Sequence, residues 1–408
     1  MSFFLFDTNS QLLPAFCKPY PDELFSSWMT RMAYDHGLNL SDFCRMTGIT
    51  GLKNKELDAY ISEEMLKQLA LKTNMSYQEV KETTLLYYID KIFERINPHN
   101  DADRWILQRR LGKGKIGEAG LMFCPQCLSV TNQQPYFKRE WKLAISFVCP
   151  TCKCYLLESC PHCNKKISLF AKSITHPIVK NASEYIVSCV YCHRHIGDCE
   201  STAAPDNQLA LQKQLYDIFT QVADNQFMYP FTYFKVLYYL CNLLIKGVTG
   251  LKMLREKKLA PLLRSVYEVH TIPLLDTYKW EGTIESMCVA ERAQVLQMAH
   301  WLLSDWPGRF LTLCTRHGVC SRDILPSFKD PPFWFLSPII QQLPPPYKLF
   351  KNEMPFGLKS IFEKPRYRSS QTEKAKKAKQ KRMGYVDTIH VQPKKPYKYG
   401  RKKELWNI

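Results

Sequence analysis

Apolar residues recur at three- and four-residue intervals over most of this chain, and that period predicts helices. In the stretch KPYPDELFSSWMTRMAYDHGL, Leu24, Trp28, Met32 and Ala33 fall on one face. Pro21 and Asp22 read as the helix start, Glu23 as a first-turn acid that complements the dipole, and Gly37 as the stop. A second helix is predicted after Ser41, from Asp42 to a stop at Gly48. Together they form a helix-turn-helix-like corner. Helices are also predicted over 62–73 and 76–93, with Ser62/Glu64 and Ser76/Glu79 as caps. Beyond about 203, QLALQKQLYDIFTQVA, FTYFKVLYYLCNLLIKGV and ERAQVLQMAHWLLSDW each carry a broad apolar face. A second corner is expected next: Pro307 fixes a turn, Phe310 to Cys314 begin a helix broken near Gly318, and Ser321 caps a short one. Pro331, Pro332, Pro338 and Pro344 to Pro346 read as a linker. Residues 1–18 read as a poorly ordered lead-in and 97–120 as a loop.

The helical period lapses between 121 and 200, where ten of the 16 cysteines lie. Four C-x-x-C pairs stand there: Cys124/Cys127, Cys149/Cys152, Cys160/Cys163 and Cys189/Cys192. Two intervening residues let both thiolates turn toward one tetrahedral metal, and two pairs complete a four-sulfur shell. Pro follows the first cysteine in three of the four pairs, which suits a tight knuckle. Eight ligands predict two closed, structural zinc sites. Chain order groups the first two pairs on one zinc and the last two on the other; spacing also permits an interleaved arrangement. Cys154, Cys199, His193 and His195 are second-choice ligands. Disulfides or packing are poorer readings of four evenly built pairs, and no βαβ pattern suggests a redox motif. YFKREWKLAISFVC, between the first two pairs, predicts a short strand or helix over the knuckle, anchored by Trp141.

The expected fold is therefore mainly α. A helix-turn-helix-like domain spans 19–120 and a tandem zinc-finger region 121–200. A C-terminal helical, helix-turn-helix-like domain spans 201–343, and a Pro-rich linker and basic tail 344–408. No signal peptide is evident at MSFFLFDTNS and no run is long enough to span a membrane, so a cytoplasmic protein, nucleoid-associated when bound to DNA, is expected.

Charge adds a partner. The formal charge is +18, and from Lys348 onward 18 Lys and Arg face 5 Asp and Glu. Clustered cations gain from releasing phosphate counterions, which points to nucleic acid. Candidate DNA contacts are Arg322 and Lys329 beside the second corner, Lys374, Lys376, Lys377, Lys379, Lys381 and Arg382 in a helix-capable patch, and Lys394, Lys395, Lys398, Arg401, Lys402 and Lys403, interleaved with Tyr397 and Tyr399. A solvated tail without a partner is the plainer alternative.

Several of these stretches together resemble the TniQ/TnsD family, the target-selection proteins of heteromeric transposons, CRISPR-associated ones included. They are Pro21-Asp22-Glu23-Leu24 with Ser27-Trp28 and Arg31-Met32-Ala33, then FCPQCL, Trp141, ESCPHC, and WLLSDWPGRF from Trp301 to Phe310. The resemblance touches most of residues 19–326. Cys152 stands where the family often has histidine, and Leu24 where serine is common; a thiolate serves zinc equally well. The resemblance implies a protein that is neither nuclease nor transposase. It implies recognition of a DNA sequence, or of a CRISPR guide-RNA effector complex on DNA, and recruitment of a TnsC-like AAA+ ATPase regulator that brings the transposase. Members that dock on guide-RNA complexes can act as homodimers.

Enzyme readings find little support. The chain has no Gly-rich phosphate loop, no carboxylate set at metal-nuclease spacing and no nucleophile–base signature. A non-catalytic DNA-targeting adaptor is the first reading, and a zinc-stabilised transcription regulator the alternative. The basic tail favours direct DNA contact, although it would also suit holding DNA beside an effector.

Overall fold

A computed structural model of the chain describes residues 12–49, 57–96, 104–107, 120–129, 134–169, 181–220, 229–249, 254–270, 283–325, 328 and 330–343. It is mainly helical, and its one two-stranded sheet among the described residues lies in the cysteine-rich segment.

Helix α1 (Phe25–Asp35) is the centre of the N-terminal part, with every residue from Phe25 to Ala33 buried. A helix enclosed this way must satisfy its first N–H groups with protein. Phe25 N donates to Thr83 O, Ser26 N to an Asp58 carboxylate oxygen at 2.7 Å, and Ser27 and Trp28 N to Leu24 O. Leu24, at the N-cap, offers no side-chain acceptor. The cap comes instead from α3 (Leu57–Tyr60), whose Asp58 also accepts from Ser26 Oγ.

The helix begins three residues later than Asp22, and this changes the part played by Glu23. Asp22 has a left-handed φ of 60°. Glu23 is not in the first turn but precedes the helix, 1% exposed. Its carboxylate accepts from Tyr20 N, from Ser27 Oγ at 2.8 Å, and from Arg31 Nε and Nη2 at 2.9 and 2.6 Å. Arg31 also donates to Lys18 O and lies over the Tyr20 ring, while Trp28 Nε1 donates to Cys17 O. The lead-in from Cys17 to Tyr20 is thus tied to α1.

Gly37, φ 68°, ends this turn as expected. Helix α2 (Leu40–Met46) begins slightly early, because the Asn39 side chain accepts from Asp42 N. α4 (Glu63–Thr73) starts on the Ser62 cap. α5 (Tyr77–Glu82) starts on the Ser76–Glu79 capping box but stops eleven residues short of the predicted end. Thr83 and Thr84 turn their hydroxyls back onto Val80 O and Lys81 O, and Thr84 Oγ1 then accepts from Leu86 N. These local bonds compete with the helix ladder, and a 3-10 turn over Leu85–Tyr88 follows.

The segment before the second knuckle joins α1 directly. Leu24 N donates to Phe137 O, Phe137 N to Ser27 Oγ and Arg139 N to Asp22 O, and Arg139 pairs with Asp22 at 2.9 Å. A 3-10 turn, Arg139–Lys142, then carries Trp141, 1% exposed, as the expected anchor. Strands β1 (Val148–Cys149) and β2 (Cys154–Tyr155) form an antiparallel hairpin, and α6 (Ala182–Val187) packs on α1.

The C-terminal half comprises α7 (Asp206–Thr220), α8 (Pro230–Thr249), α9 (Leu254–Val269), α10 (Val289–Leu303), α11 (Gly308–Arg316), α12 (Ser321–Ile324) and α13 (Phe333–Gln342). α8 packs against α10 and α9. The cap of α12 is Cys320, with Asp323 returning to Cys320 N, so Ser321 is its first residue and not its cap.

Residues 331–343, read as linker from their prolines, instead hold α13, with Pro332 at its N-cap and Pro338 inside it. Pro338 cannot donate to Trp334 O, four residues back. Trp306 Nε1 donates to that oxygen at 3.2 Å, and the Trp306 ring stacks on Phe335 at 4.8 Å. The helix tolerates its proline because α13 is packed and the freed carbonyl is taken. Pro344 to Pro346 lie outside the described residues. Among the described residues no helix is long and apolar enough to cross a membrane.

Candidate metal centres

Three of the four cysteine knuckles share one backbone frame. Four residues after the leading cysteine stands a left-handed residue: Lys153 (φ 54°), Asn164 (φ 56°) and His193 (φ 58°). The N–H of each donates to the carbonyl of its leading cysteine, Cys149, Cys160 or Cys189, at 2.8–2.9 Å. The chain reverses there and both sulfurs are turned to one side. The remaining knuckle, at Cys124, is held by a two-way bridge between Phe123 and Leu157, and Leu128 N donates to Cys124 O.

The eight predicted cysteines come together in chain order. Cys124, Cys127, Cys149 and Cys152 form one group and Cys160, Cys163, Cys189 and Cys192 the other, each with all sulfurs within 4.8 Å of one another. Cys127 Sγ lies 3.7 Å from Cys149 Sγ and 3.5 Å from Cys152 Sγ. In the second group Cys160 and Cys192 are 3.6 Å apart, and Cys163 and Cys189 3.7 Å. A tetrahedron with zinc–sulfur bonds of 2.3 Å has edges of about 3.8 Å. The sulfur cages therefore fit zinc in size as well as in donor type. No cysteine is in a disulfide. Backbone N–H groups also point at the sulfurs, Cys127 N at Cys124 Sγ and Tyr191 N at Cys189 Sγ, both at 3.4 Å. Such donors favour thiolates. With four sulfurs around each centre no coordination position is left for substrate, so a bound metal would be structural.

The second-choice ligands fall outside both groups. His195 Nδ1 accepts from Gly197 N, its carbonyl accepts from His162 Nε2 at 2.9 Å, and His193 occupies the left-handed turn position. Cys199 Sγ faces Ile196 O. Cys154 is different: its sulfur is 3.5 Å from Cys124 Sγ. The signal for it was the run CPTCKC, in which a third cysteine follows the second at one residue's distance.

Two contacts brace the clusters, and neither was legible in the sequence. A Cβ on Gly197 would lie 2.2 Å from Leu128 O and 2.9 Å from Pro125 O, so only glycine lets the end of the second knuckle pair close onto the first knuckle. Glu158, on the short span between the clusters, pairs with Lys166 at 3.1 Å and with the fully buried Arg292 of α10 at 2.7 Å. Arg292 also donates to Met287 O. On the other side of the hairpin, Gln212 of α7 accepts from Phe147 and Val148 N and donates to Ile145 O. The cysteine-rich segment is thus clasped by helices from the C-terminal half.

Of the expected DNA contacts, Arg322 is described and is exposed on α12. Lys329, Lys374, Lys376, Lys377, Lys379, Lys381, Arg382, Lys394, Lys395, Lys398, Arg401, Lys402 and Lys403 lie outside the described residues.

Compared with known protein families, the chain matches the TniQ model over residues 14–156 of its 408. The matched range holds α1, its buried Glu23–Arg31 pair, Trp141 and the whole first cysteine group. It ends before Cys160, so the second group and the WLLSDWPGRF motif lie beyond it. No curated protein matches the chain significantly.

Proposed function

Because residues 14–156 match the TniQ family model, we propose that this chain is a non-catalytic adaptor that selects the target site of a heteromeric transposon. It binds target DNA and recruits a TnsC-like AAA+ ATPase regulator, which brings in the transposase. The observation that carries this reading is the family match itself, joined to a four-sulfur centre inside the matched range. In this reading Cys124, Cys127, Cys149 and Cys152 hold one zinc, and Cys160, Cys163, Cys189 and Cys192 a second. The metals supply folding free energy to the cysteine-rich segment. Residues 19–120 and 201–343 are the helical domains on either side of it, and 344–408 the basic arm.

The excess of positive charge after Lys348 supports direct contact with DNA phosphates. Arg322, exposed on α12, is a further candidate contact. The test is selection of bound fragments from a random pool by the purified chain, at about 150 mM salt, where non-specific binding is weakened. Recovery of one sequence motif is expected. Recovery of none, with capture of a guide-RNA effector complex, would move the address from this chain to the effector and leave the adaptor role in place. Binding of one motif without capture of an ATPase regulator would favour a transcription regulator.

A further inference from the structure

In the knuckles of the second cluster, the residue after the left-handed one faces the leading cysteine across the turn and is a cation exposed to solvent. Cys160 N donates to Lys165 O, and Cys189 N to Arg194 O. In the first cluster the same position is Cys154, the register partner of Cys149 in the hairpin. Register partners send their side chains to the same face, so Cys154 follows Cys149 toward the metal side. Its sulfur stands 3.5 Å from Cys124 Sγ, and the residue is 1% exposed. Five sulfurs therefore stand at the first cluster, four in the mutual group and Cys154 beside Cys124. Cys124, Cys149 and Cys154 are buried, while Cys127 and Cys152 are half-exposed. Chelators and oxidants arriving from solvent meet the outer pair first.

From this asymmetry we propose that Cys154 is a standby ligand of the first cluster. It takes the coordination position that opens when the outer ligand Cys152 is lost, so the zinc keeps four thiolates. In the exchange one zinc–sulfur bond breaks and one forms. The Cys154 proton passes to water as the departing Cys152 thiolate takes one up, and the charge of the centre is unchanged. Sulfur is the required donor, because water in that position would leave the open, three-ligand arrangement of a catalytic zinc in place of a closed structural site. The inference rests on the reading that the chain binds two zinc ions.

The test uses the full chain and counts zinc per chain in Cys152→Ala, Cys154→Val and the double variant. Cobalt substitution then reports how many thiolates bind, through the sulfur-to-cobalt charge-transfer bands. The single variants are each expected to keep two metal ions, and cobalt in Cys152→Ala is expected to keep the intensity of a four-thiolate site. The double variant is expected to lose one metal. Loss of a zinc from Cys152→Ala, with or without unfolding, would overturn the proposal. So would a double variant that keeps two, or a three-thiolate cobalt spectrum in Cys152→Ala, since either means that water fills the gap. An unmutated chain with fewer than two zinc ions would instead defeat the two-zinc reading beneath it.

Discussion

Glu23 takes donors from Tyr20, Ser27 and Arg31 at once, almost out of reach of water. A carboxylate so placed fixes three things: the path of the lead-in, the start of α1 and the seat of the Phe137 segment on Ser27. Removing one partner of such a pair leaves the other charge buried and uncompensated. Glu23→Gln is therefore expected to cost roughly 3–5 kcal/mol, read as a lower urea midpoint at unchanged slope. A midpoint equal to that of the unmutated chain would mean that Arg31 finds another partner. The TniQ/TnsD resemblance grouped Glu23, Ser27, Trp28 and Arg31, but local rules could assign Glu23 only to the helix dipole. Its true partners depend on Asp22 turning left-handed and on a helix that begins at Phe25. Asp58, which caps α1 from another helix, was invisible for the same reason: no periodicity relates positions 26 and 58.

Among elements, local chemistry was most readable where a cap and an apolar face agree, as in α4 and at the start of α5. It misled where the decisive partner came from elsewhere. Prolines at 331, 332 and 338 read as a linker because a proline lacks an N–H; tertiary contacts supply what α13 needs. The knuckles were legible because ligand spacing is a local rule, but their mutual seating was not. Gly197 decides that seating by letting one knuckle approach the backbone of another. Gly197→Ala forces Leu128 and Pro125 outward. Overpacking of this kind costs about 1–3 kcal/mol, and here it falls on the first metal site. The expected outcome is a lower melting temperature together with faster loss of one zinc equivalent to a chelator. Normal melting with normal release would show that the two knuckles separate without penalty.

At the scale of the whole molecule, charge and packing act on different parts of the chain. On the proposed DNA-binding reading, the cations after Lys348 contribute binding that salt weakens, with log affinity falling by about 0.9 per phosphate contact for each unit of log salt. Removal of residues 348–408 is expected to weaken DNA binding and flatten that dependence, measured as the slope of affinity against salt; an unchanged slope would take the tail out of the interface. The packing of the described part joins residues far apart in sequence. Trp105 N reaches Glu285 and Trp105 Nε1 reaches Phe234 O, across separations of 180 and 129 residues, and Arg292 meets Met122 across 170. The first sulfur cage, in contrast, closes within residues 124–154. During synthesis from the N-terminus, that cage can fill with metal while the ribosome has yet to make α10. The Glu158–Arg292 pair and the Trp105 bonds to Phe234 and Glu285 must then wait for helices that emerge later. Contacts of such long range form late and slowly, so a chain stopped before residue 285 would have both sulfur groups complete and still lack the Arg292 half of the clasp on the cysteine-rich segment.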